Sequence, residues 1–147
     1  MRLSTKARYG VRAMLTLALE YGNAAVPVRT VARYQRVSEK YLEHLMVSLK
    51  SAGLVRSVRG RGGGYTLARP PEQIDLSEVV RALEGSIAPV DCVDDPGVCD
   101  RSDACAARAV WGRMQQAMDD VLRLTTLRDL AEEQNERAQS RGTMYQI

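Results

Sequence analysis

Residues 59–64 read Arg59-Gly60-Arg61-Gly62-Gly63-Gly64, and this run limits the possible folds more than any other in the chain. Four glycines in six residues do not belong inside a helix, where each costs about 1 kcal/mol relative to alanine. They suit a tight reversal that needs positive φ angles. Both flanks are β-patterned, with Leu54-Val55-Arg56-Ser57-Val58 before the run and Tyr65-Thr66-Leu67-Ala68 after it. A hairpin with Arg59 and Arg61 at its tip is therefore expected. The run is not a phosphate cradle. The dinucleotide fingerprint would need glycine where Tyr65 stands, and no Gly-Lys-Ser/Thr follows.

Three helical patterns precede the hairpin. From Ser4 to about Tyr21, apolar residues recur at Ala7, Val11, Met14, Leu15 and Ala18, until Gly22 and Asn23 end the helix. A short second helix is expected from Thr30 to Arg36. Ser38 is the natural N-cap of a third, with Glu39 at the positive end of its dipole. That third helix buries Leu42, Leu45, Met46 and Leu49 and stops at Gly53. Its other face carries Lys40, Glu43, His44, Val47 and Ser48, which include residue types that hydrogen-bond to base edges in a DNA major groove. Taken alone, this could be an ordinary solvated face. Three helices followed by an arginine-tipped hairpin make a winged helix-turn-helix, whose wing arginine can enter a narrow minor groove.

The charge distribution agrees. Residues 1–70 hold 13 Lys/Arg against 3 Asp/Glu, and residues 71–147 hold 8 against 15, so a net charge of only +3 hides a basic half and an acidic half. The basic half would attract a polyanion, and double-stranded DNA is the commonest. The length of 147 residues suits one compact domain or a small domain with an appendage. No window is apolar enough for a membrane span, and the first residues lead into an amphipathic pattern rather than a signal-peptide core. Three cysteines are an odd number, too few for a disulfide scaffold, so a reducing, cytoplasmic location is expected.

Beyond the hairpin, Asp75 or Ser77 can cap a fourth helix over Leu76–Glu84, with Gly85 after it. All three cysteines then fall in one stretch, Cys92-x6-Cys99-x5-Cys105, with Pro96, Gly97 and little apolar content. Thiolate-rich loops of irregular spacing hold iron–sulfur clusters. Zinc would usually take paired Cys-x2–4-Cys units and four protein ligands. Oxidisable thiols are the other serious reading. The carboxylates of Asp91, Asp94, Asp95, Asp100 and Asp103 lie nearby, and His44 belongs to the reading helix.

From Asp103, apolar residues run Ala107, Val110, Trp111, Met114, Ala117, Met118, Val121 and Leu122 at helical spacing. A helix of about 22 residues, roughly 33 Å long, is expected to be a dimer helix, because helix-turn-helix proteins read two half-sites. Thr126-x-x-Asp129 is a capping box for a last helix from Leu127 to about Arg137. The expected fold is mainly α with a small β-hairpin wing. Its parts are a DNA-binding domain over 1–70, a connecting helix over 71–90, a cysteine loop over 91–106, dimerisation helices over 107–137 and a flexible tail over 138–147. No Cys-x-x-Cys, nucleophile elbow or metalloprotease motif is present, so an enzyme is not expected.

Several of these segments resemble the bacterial iron–sulfur-cluster regulator family that includes IscR and the nitric-oxide sensor NsrR, with the IscR branch the nearer. They are Met1-Arg2-Leu3-Ser4-Thr5-Lys6-Ala7-Arg8-Tyr9-Gly10, Ser38-x-x-Tyr41-Leu42-Glu43, and Gly53-Leu54-Val55-x-Ser57-Val58-Arg59-Gly60-x-Gly62-Gly63-Gly64-Tyr65. The three-cysteine loop, Ala109-Val110-Trp111 and Thr126-Leu127 complete the likeness, which covers roughly residues 1–137. The resemblance implies a homodimeric transcription regulator whose operator binding responds to a cluster on Cys92, Cys99 and Cys105. A 2Fe-2S cluster is the first expectation and 4Fe-4S the second. The expected DNA-facing set is Ser38, Lys40, Tyr41, Glu43 and His44 on the reading helix, with Arg59 and Arg61 on the wing. Two positions depart from the family pattern. Arg108 stands where IscR-like proteins have a ligand histidine, and Arg8 stands where NsrR-like proteins have an acidic one. The alternative function is a cluster-free regulator that senses redox state through the same thiols.

Overall fold

The computed structural model describes residues 2–144, which form seven α-helices and one two-stranded antiparallel hairpin. Helix α1 (Thr5–Leu19) starts where the Ser4 hydroxyl accepts the Lys6 amide at 3.1 Å. It buries Ala7, Gly10, Ala13, Met14, Leu17 and Ala18, whereas Val11 and Leu15 are only half-buried. The buried stripe is thus turned from the expected one, and Gly10 explains why. A Cβ there would lie 2.0 Å from Cδ1 of Leu83, so a later helix is seated against bare backbone.

Helix α2 (Val28–Gln35) follows Pro27 and closes on Arg36, which takes a left-handed conformation with φ 54°. Helix α3 (Glu39–Ser51) begins as expected, with the Ser38 hydroxyl accepting the Tyr41 amide at 3.1 Å. It buries Leu42, Leu45, Met46 and Leu49. Strands β1 (Val55–Val58) and β2 (Gly64–Leu67) pair in the register Val55↔Leu67 to Val58↔Gly64. The wing is also fixed to the body. Val26 and Tyr65 exchange two backbone hydrogen bonds of 2.9 Å, and Lys50 Nζ donates to Ser57 Oγ at 2.9 Å.

Helix α4 (Leu76–Glu84) has the expected limits, and Asp75 is its cap, accepting the Glu78 amide at 3.2 Å. One-turn helix α5 (Asp91–Asp94) and two 3-10 turns lead to α6 (Ala106–Arg123). At 18 residues, α6 is shorter than the sequence pattern suggests, because Ser102–Ala104 forms a separate 3-10 turn and Cys105, at the N-cap position, is extended.

Helix α7 spans Leu127–Met144 and so passes the expected end at Arg137. No glycine or proline interrupts it before Gly142, and Arg128–Glu132 (2.8 Å) and Arg137–Glu133 (2.5 Å) are pairs one turn apart along it. The expected flexible tail over 138–147 is therefore helical to Met144, and residues 145–147 lie outside the described residues.

One core runs through both halves of the chain. Met14, Leu17, Leu42, Leu45, Met46, Leu49 and Leu54 pack with Ile74, Val79, Leu83 and Leu127. Leu127 is drawn in because its amide donates to Ile74 O and the Leu76 amide to Thr125 O, each at 2.9 Å. The capping box beside it is intact. The backbone amide and then the hydroxyl of Thr126 hold the Asp129 carboxyl below its ordinary pKa. A depressed carboxylate stabilises the fold above its unfolded pKa and loses that effect as pH falls through the folded value. Acidification below about pH 4 is therefore expected to fray the start of α7, read as lost helical signal. Asp129→Ala, which removes the carboxylate from both Thr126 donors, should show the same loss already at neutral pH.

Candidate nucleic-acid interface and cysteine loop

Because its apolar residues face the core, α3 turns Lys40, Glu43, His44 and Val47 to solvent, with Val47 60% exposed. Ser38 is exposed at the helix start. Tyr41 behaves differently from the rest of the expected DNA-facing set. It is half-buried, its ring meets the Tyr9 ring edge-on at 6.1 Å and 88°, and its hydroxyl donates to Thr5 Oγ1 at 3.4 Å. It braces α3 against α1, a placement helical periodicity alone does not reveal. Arg59 and Arg61 are both exposed at the wing tip, where Gly60 and Gly62 take φ 93° and 70° and the Gly63 amide donates to Gly60 O at 3.0 Å.

Further cations, absent from the set expected on sequence, flank the reading helix. Arg29 and Arg33 are exposed one turn apart on α2, and Arg36 is exposed at its left-handed end. The first helix of a helix-turn-helix crosses the phosphate backbone, and the i, i+4 spacing of Arg29 and Arg33 is the sequence signal for it. On α1, the Arg8 and Arg12 guanidiniums lie 5.1 and 5.8 Å from the Tyr9 ring centre, within cation–π range.

The cysteine loop is more ordered than its composition suggests. Cys92 lies in α5, Cys99 follows the 3-10 turn Pro96–Val98, and Cys105 is the N-cap residue of α6. All three are free thiols, with Cys99 exposed and the other two half-buried. Arg108 Nε donates to the Cys92 carbonyl at 2.6 Å, and Gln115 Nε2 donates to Asp94 Oδ1 at 3.2 Å. These contacts hold α5 against the start of α6, so the first and last cysteines belong to adjoining elements. Arg108, one of the two departures from the family pattern, thus serves as a backbone clasp.

No group of three His, Cys, Asp or Glu side chains is gathered to hold a metal ion among the described residues. The donor chemistry nevertheless fits an iron–sulfur cluster better than a hard cation. It offers three soft sulfurs, one of them at the electropositive end of α6. The loop also contains Ser102, a buried residue whose Oγ has no hydrogen-bond partner.

Residues 3–133 match the model of the Rrf2 family, described as an iron-dependent transcriptional regulator. The chain belongs to the Rrf2 family. Among curated Rrf2-type relatives, the regulator CymR of Bacillus subtilis is 40% identical over 131 residues, covering 89% of this chain and 90% of CymR. IscR of Cronobacter sakazakii is 38% identical over 134 residues, covering 91% and 82%. The solved structure of CymR, called the global cysteine regulator of B. subtilis, aligns with TM-score 0.77 at 39% identity over 90% of this chain and 98% of that one. T. potens IscR also aligns with TM-score 0.77, at 37% identity over 93% and 90%. These relatives are named transcriptional regulators, and the winged-helix, mainly helical architecture is common to them. No described helix is long and apolar enough to cross a membrane.

Within this Rrf2 fold, one carboxylate ties α6 to α4. Asp119 on α6 has a side chain only 11% exposed and accepts from Arg81 of α4 at 2.6 Å and Arg123 at 2.8 Å. Removing one partner of a fully buried pair costs several kcal/mol. Both arginines are about half exposed, so Asp119→Ala is expected to cost about 1–2 kcal/mol. A chemical-denaturation midpoint checks this, and an unchanged midpoint would show that the clamp adds nothing to stability.

Proposed function

We propose that this Rrf2-family regulator binds a double-stranded DNA operator as a homodimer, and that an iron–sulfur cluster on Cys92, Cys99 and Cys105 sets its operator affinity. The observation that carries the reading is the cysteine loop itself. Three free thiols occupy one loop fastened to the start of α6 through Arg108. A bound cluster supplies a cross-link among the sulfurs that changes with redox state or nitric oxide.

The chain's own residues carry the response onward. A shift of residues 91–105 is passed to α6 through the Arg108 clasp, Asp119 ties α6 to Arg81 on α4, and Leu83 of α4 rests on Gly10 of α1. Through α1 the response reaches Tyr9 and Tyr41, which brace α3. Operator affinity changes only to the extent that the cluster favours one arrangement over the other. DNA contacts are assigned to Ser38, Lys40, Glu43 and His44 in the major groove and to Arg59 and Arg61 in the minor groove. Tyr41 supports α3 from behind.

The homodimer assignment rests on α6. Val110, Trp111, Val121 and Leu124 are exposed on or just after it, and Asp119 is the one buried residue it contributes. An apolar stripe left facing water on an 18-residue helix suits pairing with a second copy.

Protein purified without oxygen is expected to show visible absorption with matching iron and acid-labile sulfide. Colourless protein free of both would remove the cluster reading. A thiol-redox regulator is the second reading, favoured by the exposed Cys99 thiol and by the likeness to a cysteine regulator. It predicts activity that follows disulfide or sulfenate formation with no iron present. In either case Arg59→Ala should weaken operator binding about tenfold, measured at fixed physiological salt. Unchanged affinity would exclude the wing from recognition.

A further inference from the structure

The cysteine loop inverts the usual sorting of polar and apolar residues. Val98 is 58% exposed, while Ser102 is 6% exposed and is the one buried residue between Asp91 and Cys105. The backbone amide of Ser102 is satisfied, donating to the Cys99 carbonyl at 3.1 Å. Its hydroxyl has no partner. A serine hydroxyl usually finds a nearby carbonyl in a turn, and leaving one buried and unpaired costs about 1–3 kcal/mol. Alanine would fill nearly the same volume without that cost, so packing does not account for a serine here.

The position indicates what the hydroxyl serves. Ser102 lies three residues after Cys99 and three before Cys105 and is buried, while the nearby carboxylates of Asp100 and Asp103 are exposed. We propose that Ser102 is a positioning residue for the cluster, its buried hydroxyl donating a hydrogen bond to a cluster-bound sulfur. This rests on the cluster reading above and goes beyond it by assigning a polar partner within the loop, where neither Arg8 of α1 nor Arg108 of α6 can serve as a ligand. A sulfur carries more negative charge when the cluster is reduced. A hydroxyl aimed at it therefore stabilises the reduced form and raises the potential. The contact also resists release of iron.

The test compares wild type, Ser102→Ala and Ser102→Thr after anaerobic reconstitution with ferrous iron and sulfide. Ser102→Ala is expected to lower the midpoint potential and to lose iron to a chelator roughly tenfold faster. Ser102→Thr, which keeps the hydroxyl, should restore both. Apo-protein thermal stability should hold or rise in Ser102→Ala, since an unsatisfied group is removed, and this separates a cluster role from a structural one. Equal potentials and equal chelator rates in wild type and Ser102→Ala would overturn the proposal. Wild-type protein that takes up no cluster would overturn the reading beneath it, a distinct outcome seen before any variant is compared.

Discussion

Gly64→Ala is expected to detach the wing and abolish specific operator binding. Gly64 has φ +153°, and a Cβ there would lie 2.1 Å from the Val26 carbonyl oxygen and 2.7 Å from the Pro27 nitrogen. Both atoms are backbone, so no side-chain rotation relieves the clash. Either β2 or the Val26–Pro27 segment must move, and the two 2.9 Å bonds between Val26 and Tyr65 break. Loss of those bonds at about 1 kcal/mol each, with backbone strain of about 1–3 kcal/mol, gives a cost of roughly 3–5 kcal/mol. Typical domain stability is about 5–15 kcal/mol, so the protein should still fold with its melting temperature sharply lowered. Gly62→Ala is the control. Gly62 has φ +70°, and an alanine methyl there would meet nothing within 4 Å, so only about 1–2 kcal/mol of left-handed strain applies. Equal melting shifts for the two variants would show that the wing is not held by Val26.

Cys92→Ala is expected to eliminate the visible absorption of reconstituted protein while leaving the apo fold intact. Cys92 supplies one of three sulfurs and lies outside the core residues. The contact that fixes its segment is made by the Cys92 carbonyl to Arg108, so the substitution spares the clasp. Unfolding of the apo-protein should change by less than about 1 kcal/mol. Full absorption in Cys92→Ala would move the cluster site elsewhere, and a collapsed apo fold would make Cys92 a structural residue.

The sequence was most legible where local chemistry decides structure. The limits of α4, the Ser38 and Asp75 caps, the Thr126–Asp129 box and the glycine turn of the wing all follow from side chains acting within four residues. It was less legible where distant elements decide. The buried face of α1 includes Gly10 because Leu83 lies against it, and the pattern of α1 alone does not contain that contact. Tyr41 lies beside the reading face in sequence, yet Tyr9 and Thr5 draw it towards α1. Leu127 enters the core of the basic half through backbone bonds to Ile74, so the charge boundary near residue 70 is not a boundary in packing. For the site, the cysteines were plain from spacing. The clasp by Arg108 and the buried hydroxyl of Ser102 needed the fold.

Operator affinity with and without the cluster tests the central claim most directly. A duplex selected from a random pool would be titrated anaerobically with cluster-loaded protein and with the same preparation after iron removal, at one fixed salt concentration. The expected result is at least about a tenfold difference in Kd, equivalent to about 1.4 kcal/mol of coupling between loop and reading head. Cys92→Ala should match the iron-free value whether or not iron is supplied. Identical Kd values for loaded and iron-free wild type would contradict control of DNA binding by the cysteine-held cluster.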